Sequence, residues 1–505
     1  MQEDEIVTTR VFLLGIGGLS LDVLDALIHN GWLPNLEFLL SRGAVGPLTS
    51  DIPPYAASEW ATLLTGETPG TTGFLEGCRK GAGSYFPEVV SLAALARRSP
   101  RFLLARPSLE TALVGVPIPA EPGPLPPRES VHLLEVKDGE ISVRPLAPAS
   151  DPVGTMEDDG DPALILEETI RHMVALSISI SRTLKESRAR LVAIHFGVLD
   201  RIFSRFNRDL ESALLGRKER GLEELLRQFF RAFDDSLGGL QEISRGTETL
   251  IALVSPHGFV PAARVLNLNG FLLSRGDLSL RPSTGGDHLL RGMAAPLLRS
   301  MGIDRRHLKQ ILPRPALQEA VDRSGSLLSS EIGQFDWGRT RAFALSRTGI
   351  TLNIRGVESQ GRVNPGPQSR ALGEEIREAL LSLVDPATGR SPVGEVRWRE
   401  DLYEGPGLPE LPHLVVRGWD PGYLFDDWRH AGSDCPVFSD PRGRTGAPRE
   451  GGFYCLFGAG SFFEKALKRR LHLPRTRSLA EMTALVGHAL DGEQTADPES
   501  LFTPR

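Results

Sequence analysis

Cysteine is scarce: the 505 residues hold three, Cys78, Cys435 and Cys455, far apart and forming no CxxC pair. That spacing supports neither a zinc ribbon nor a disulfide framework. Long apolar runs are missing as well. No stretch reaches the roughly 18 consecutive apolar residues of a membrane-crossing helix, so no membrane span is expected. The start, MQEDEIVTTR, lacks the basic residues and following apolar core of a secretory signal, which leaves the cytoplasm as the expected location. Charge of one sign is also in short supply. A formal net charge of −7 gives no basic face for nucleic-acid phosphates, so no nucleic-acid partner is expected. No internal repeat of fixed period is present.

What remains is the composition of a soluble chain with a sizeable core, 40% apolar and 24% charged. Val11-Phe-Leu-Leu-Gly15 is a short continuous apolar run ending on Gly15-Ile16-Gly17-Gly18, as in a parallel strand buried on both faces. Ser20 is placed to cap a helix over residues 21–29, and Pro34 opens another. A second strand is expected to end near Leu48. Further strands are predicted at 111–116, 191–196, 249–255, 342–345, 414–416 and 453–457. Amphipathic helices are predicted at 165–184 and 222–243. Strands alternating with helices predict a mostly parallel sheet covered on both faces, with sites at the carboxyl ends of the strands. The Pro-, Gly- and Asp-rich stretch 119–160, with one strand near 131–136, reads as a surface excursion. Residues 275–335 read as a second insertion and 491–505 as a polar tail, leaving one domain over 9–490.

Several strand ends carry residues suited to a site. They are Gly15-Ile-Gly-Gly18, Gly197-Val-Leu-Asp-Arg201 and Ser255-Pro-His-Gly258, together with the rigid platform Pro53-Pro-Tyr-Ala-Ala-Ser-Glu-Trp60. Local readings of these residues are modest. His257 is expected to hydrogen-bond backbone, and Asp200 to face N–H groups at a helix start. Gly15-Ile-Gly-Gly18 lacks the third glycine of a dinucleotide loop, since Ser20 holds that place. Asp22 and Asp25 suit a helix start, and the basic run 465–477 reads as a solvated helix end.

Taken in order, residues 17–74, VSPHGF (254–259), FDWGRTRAFAL (335–345), residues 383–406 and GYLF (422–425) resemble the alkaline phosphatase superfamily, in its type I phosphodiesterase/nucleotide pyrophosphatase branch. The resemblance implies a three-layer α/β/α sandwich. It also implies two-metal phosphoryl transfer, with a threonine or serine attacking phosphorus. The reactive positions depart from that pattern. Gly17 stands where the first metal-ligating acid belongs, and Ala56 where the nucleophile belongs. Ser204 replaces a histidine, Pro256 replaces the acid of Ser-Asp-His-Gly, and Ala447 or Pro448 replaces the last histidine. Of the ligands only Asp200 and His257 remain, and these serve different metals in the family.

One protein ligand per metal falls short of the three or four that zinc needs, so Asp200 and His257 are vestigial and no metal cofactor is expected. The leading expectation is a catalytically degenerate phosphodiesterase-like protein that binds a phosphorylated small molecule or a protein partner. The alternative is an active phosphodiesterase/nucleotide pyrophosphatase holding two divalent metals, zinc or manganese, through substitute ligands. Asp287 and His288, or Asp426, Asp427 and His430, are the candidates for that substitution. Ser58 stands two residues beyond Ala56, where the helix turns it elsewhere.

Overall fold

In the computed structural model, alternation with period two sorts the central strands between two layers. Along Arg10–Gly15, Phe12 and Leu14 face one side and Val11 and Leu13 the other, all fully buried. Leu191–His195 and Thr249–Pro261 divide the same way. Val192, Ile194, Ile251 and Leu253 join the first side, and Ala193, Leu250, Ala252 and Val254 the second. The first side packs against Leu21–His29, Pro34–Arg42, Pro162–Glu186, Val198–Arg205 and Glu223–Ser244. The second packs against Ala56–Thr65, Leu92–Ala96 and Leu479–Asp491. This is the expected three-layer α/β/α sandwich.

The structure describes residues 9–51, 53–76, 78–80, 85, 87–99, 103, 109–118, 131–137, 140–145, 160–217, 221–281, 334–419, 422–425, 435–441, 443–460, 463–464 and 476–491. Nine strands form the main sheet, in the order Arg477–Ser478, Ala44–Thr49, Gly446–Ala459, Thr249–Pro261, Arg10–Gly15, Leu191–His195, Thr111–Val114, Val131–Lys137 and Glu140–Pro145. Its centre is parallel, with Arg10–Gly15 between Leu191–His195 and Thr249–Pro261. That arrangement brings the ends of three strands side by side, where the site lies. Among the described residues, no helix is long and apolar enough to cross a membrane.

Several expectations change. The stretch read as a surface excursion contributes Val131–Lys137 and Glu140–Pro145, an antiparallel pair that extends the main sheet. Residues 342–345 and 414–416 do not join that sheet. They belong to a separate four-stranded antiparallel sheet, Ala342–Phe343, Gly349–Leu352, Leu414–Trp419 and Val393–Trp398, which has its own core under the helix Pro367–Leu381. The apolar runs are alike in both sheets, so periodicity alone could not assign them. Ser20 occupies the N-cap position, yet its side chain makes no capping bond. The helix Pro34–Arg42 takes its cap from elsewhere: the buried carboxylate of Asp234 accepts from the backbone N–H of Asn35 and Leu36, both at 2.9 Å.

The strand Thr249–Pro261 continues well past the predicted end at 255 and pairs antiparallel with Gly446–Ala459. Proline has no N–H to give the ladder. The register accordingly slips between Glu450 and Phe453, opposite Pro256. Gly451 supplies the left-handed backbone there, at φ +96°. Pro256 is thus accommodated by a glycine bulge in its neighbour.

Candidate functional site

Gly17, Asp200 and His257 come from three separate segments and meet. A Cβ placed on Gly17 would stand 2.7 Å from Asp200 Oδ1 and 3.2 Å from His257 Cε1. The Asp200 carboxylate therefore leans into the volume that a side chain at 17 would fill. Gly18 crosses to the neighbouring strand, donating its N–H to the His257 carbonyl at 3.0 Å. Its φ of +89° and a prospective Cβ only 2.5 Å from the Phe203 ring explain the glycine.

The His257 ring does not bond to backbone, as the local reading expected. It lies between two carboxylates. Nδ1 is 2.8 Å from Glu59 Oε2, and Nε2 is 3.6 Å from Asp200 Oδ1. Asp200 Oδ2 lies 3.8 Å from His195 Nε2, extending the chain to a fourth titratable group. Asp200 does sit in the first turn of Val198–Arg205, as expected, but its carboxylate faces imidazoles. The Trp60 ring packs edge-on against His195, centroids 5.7 Å apart, and closes the cluster from the second layer.

Burial dominates the electrostatics. Glu59 and His257 are 1% and 2% exposed. Burial alone would push the His257 imidazole down. The Glu59 charge and hydrogen bond, together with the nearby Asp200 carboxylate, outweigh it and push it up to about 10. That direction favours the imidazolium at neutral pH. Burial pushes Glu59 up while the His257 charge pulls it down. Asp51 is a further acid on the platform. Burial pushes it up to about 7 against a hydrogen bond from the Thr62 hydroxyl, and the Glu59 charge adds to the rise.

Ala56 opens the helix Ala56–Thr65 after Pro53-Pro54, at the place the resemblance gives the nucleophile, and offers a methyl group. Ser58 points away from that place, its hydroxyl accepting the Glu76 N–H at 2.9 Å. Glu76 in turn accepts from the Arg347 and Thr348 N–H groups at 2.7 and 3.2 Å. The Arg347 guanidinium lies over the Tyr55 ring, 5.0 Å from its centroid. The Ser204 carbonyl accepts from the Thr445 N–H at 2.8 Å. Ala447 is fully buried in a small apolar cluster with Ala262, Val265 and Leu424. Asp287, His288, Asp426, Asp427 and His430 lie outside the described residues.

Sequence reasoning missed Glu59, Asp51 and His195. Glu59 carried one signal: the helix AASEWATLLT holds no basic residue to pair with it. An acid buried there must find its partner on another segment.

A metal-binding imidazole needs one nitrogen lone pair free for the ion. Here Glu59 occupies Nδ1, while Nε2 stands 3.6 Å from Asp200 Oδ1, beyond hydrogen-bond reach. With no donor at Gly17, His257 and Asp200 fall short of the three or four donors that each zinc needs, so the residues described do not fit a two-metal centre. Among the described residues, no group of three or more His, Cys, Asp and Glu side chains is arranged to hold a metal ion.

The family model for type I phosphodiesterase / nucleotide pyrophosphatase matches residues 11–114, which carry the first strand, the double-proline platform and Ala56. In fold the chain is similar to phosphonoacetate hydrolase from Sinorhizobium meliloti 1021, at 13% identity, 96% coverage of each chain and a TM-score of 0.50. It is also similar to human ectonucleotide pyrophosphatase / phosphodiesterase 5, at 10% identity, 95% coverage of each chain and a TM-score of 0.43. A third similar structure is alkaline phosphatase PafA, at 10% identity, 97% coverage of each chain and a TM-score of 0.47. No curated protein matches the chain. Residues 11–114 thus match the type I phosphodiesterase/nucleotide pyrophosphatase family, and the fold is similar to that of phosphonoacetate hydrolase.

Proposed function

We propose that this chain is a catalytically degenerate phosphodiesterase-like protein, cytoplasmic and without a resident metal, that acts by binding a ligand or a partner. The observation that carries this reading is the Glu59–His257–Asp200 chain, in which both imidazole nitrogens face carboxylates. An imidazolium supplies a positive charge between the two acids and offsets one of their two charges from within the cluster. Gly17 and Ala56 support the same reading, since neither carries a donor atom or a nucleophile. Function resides in the site and not in the fold, so the shared fold alone gives no activity. The Arg347 guanidinium on Tyr55, beside the start of the Ala56–Thr65 helix, favours an anionic, phosphorylated ligand.

Protein loaded with zinc or manganese and then washed is expected to retain no stoichiometric metal and to leave an aryl phosphodiester intact. About two metal ions per chain, together with hydrolysis that His257→Ala abolishes, would establish the active-enzyme reading instead.

A further inference from the structure

The four-stranded sheet ends, among the described residues, on an open edge. Among the described residues, Val393–Trp398 pairs on one side only, with Leu414–Trp419. A groove of about 450 Å³ runs beside that edge, between Gly394–Trp398 and the side chains of Arg370, Glu374 and Arg377 on the helix Pro367–Leu381. Exposed edges are commonly guarded by charges of a single sign, which repel a second copy. This edge carries both signs two residues apart on one face. Glu395 and Arg397 have side chains 35% and 49% exposed. On the other face Val396 and Trp398 are buried and Gly394 is exposed.

That pattern is self-complementary. An antiparallel pair formed about a two-fold axis at Val396 sets Glu395 against Arg397 of the second copy, and Arg397 against its Glu395. The same register sets the Trp398 position against Gly394, the one residue of the strand without a side chain. A register centred on Glu395 would set acid against acid, so charge selects Val396 as the centre. Within one chain Glu395 Oε1 and Arg397 Nε lie 2.5 Å apart. An exposed pair of this kind contributes little to stability, so exchanging it for the equivalent pair between copies costs little.

We propose that Val393–Trp398 is a homodimerisation edge, to which a second copy of this chain adds as an antiparallel strand in the register centred on Val396. Strand addition of this kind draws its affinity from main-chain hydrogen bonds and its register from side chains. Sedimentation velocity over a concentration series tests it. The unmodified protein is expected to pass from monomer to dimer as concentration rises. Arg397→Glu and Glu395→Arg are each expected to stay monomeric, because like charges then face each other. An equimolar mixture of the two is expected to regain the dimer, since the two acids of one variant meet the two arginines of the other. An unmodified protein that is monomeric throughout overturns the proposal. So does a single variant that dimerises as before, or a mixture that stays monomeric.

Discussion

His257→Ala is expected to cost about 3–5 kcal/mol of unfolding free energy, the range for removing one partner of a buried ion pair. The loss arises chiefly at Glu59. Its carboxylate is 1% exposed, and with the imidazolium gone its charge is buried without a counterion. Asp200 suffers less, because its side chain is 25% exposed and keeps access to water. The double variant Glu59→Ala with His257→Ala is therefore expected to fall well short of the sum of the two single losses, as contacting residues do. Urea denaturation of the three variants measures this. Additive losses would mean that Glu59 and His257 do not act on one another.

Unfolding free energy is expected to fall as pH rises from about 6.5 towards 10, and this fall should vanish in the His257→Ala variant. The unfolded histidine titrates near 6.5 and the folded one near 10. Between those values the folded protein binds the extra proton, so raising the pH favours the unfolded chain, by up to about 1.4 kcal/mol per pH unit. The contribution is complete below 6.5 and lost as pH climbs through 10. Asp51 acts in a lower window. Its folded value near 7 lies above the ordinary 3.8, so it too favours the folded state less as pH rises, but between 3.8 and 7. Denaturation curves at pH 7, 8.5 and 10 separate the two. A slope above pH 7 that survives His257→Ala would assign it to another group.

The central strands were legible because residues 11–15, 191–196 and 249–255 are apolar runs bounded by the nearby glycines Gly15, Gly197 and Gly258, and burial on both faces requires such runs. The departures of Gly17 and Ala56 from the pattern that the sequence resembles were legible because an atom type shows in one letter. What fills the space was not. Glu59 reads as an ordinary acid in the first turn of a helix, and only the crossing of that helix over the end of the strand Thr249–Pro261 makes it the partner of His257, 198 residues away. The extension of Thr249–Pro261 through a proline was equally hidden. It depends on a glycine bulge in a strand nearly 200 residues later in the chain.

The claim that the old metal position is held by an internal imidazolium is tested most directly by ¹⁵N NMR of histidine-labelled protein at neutral pH, with and without zinc. Both His257 nitrogens are expected to be protonated, with shifts that zinc leaves unchanged. Zinc that strips the proton from one His257 nitrogen and moves it to a metal-bound shift would contradict the account.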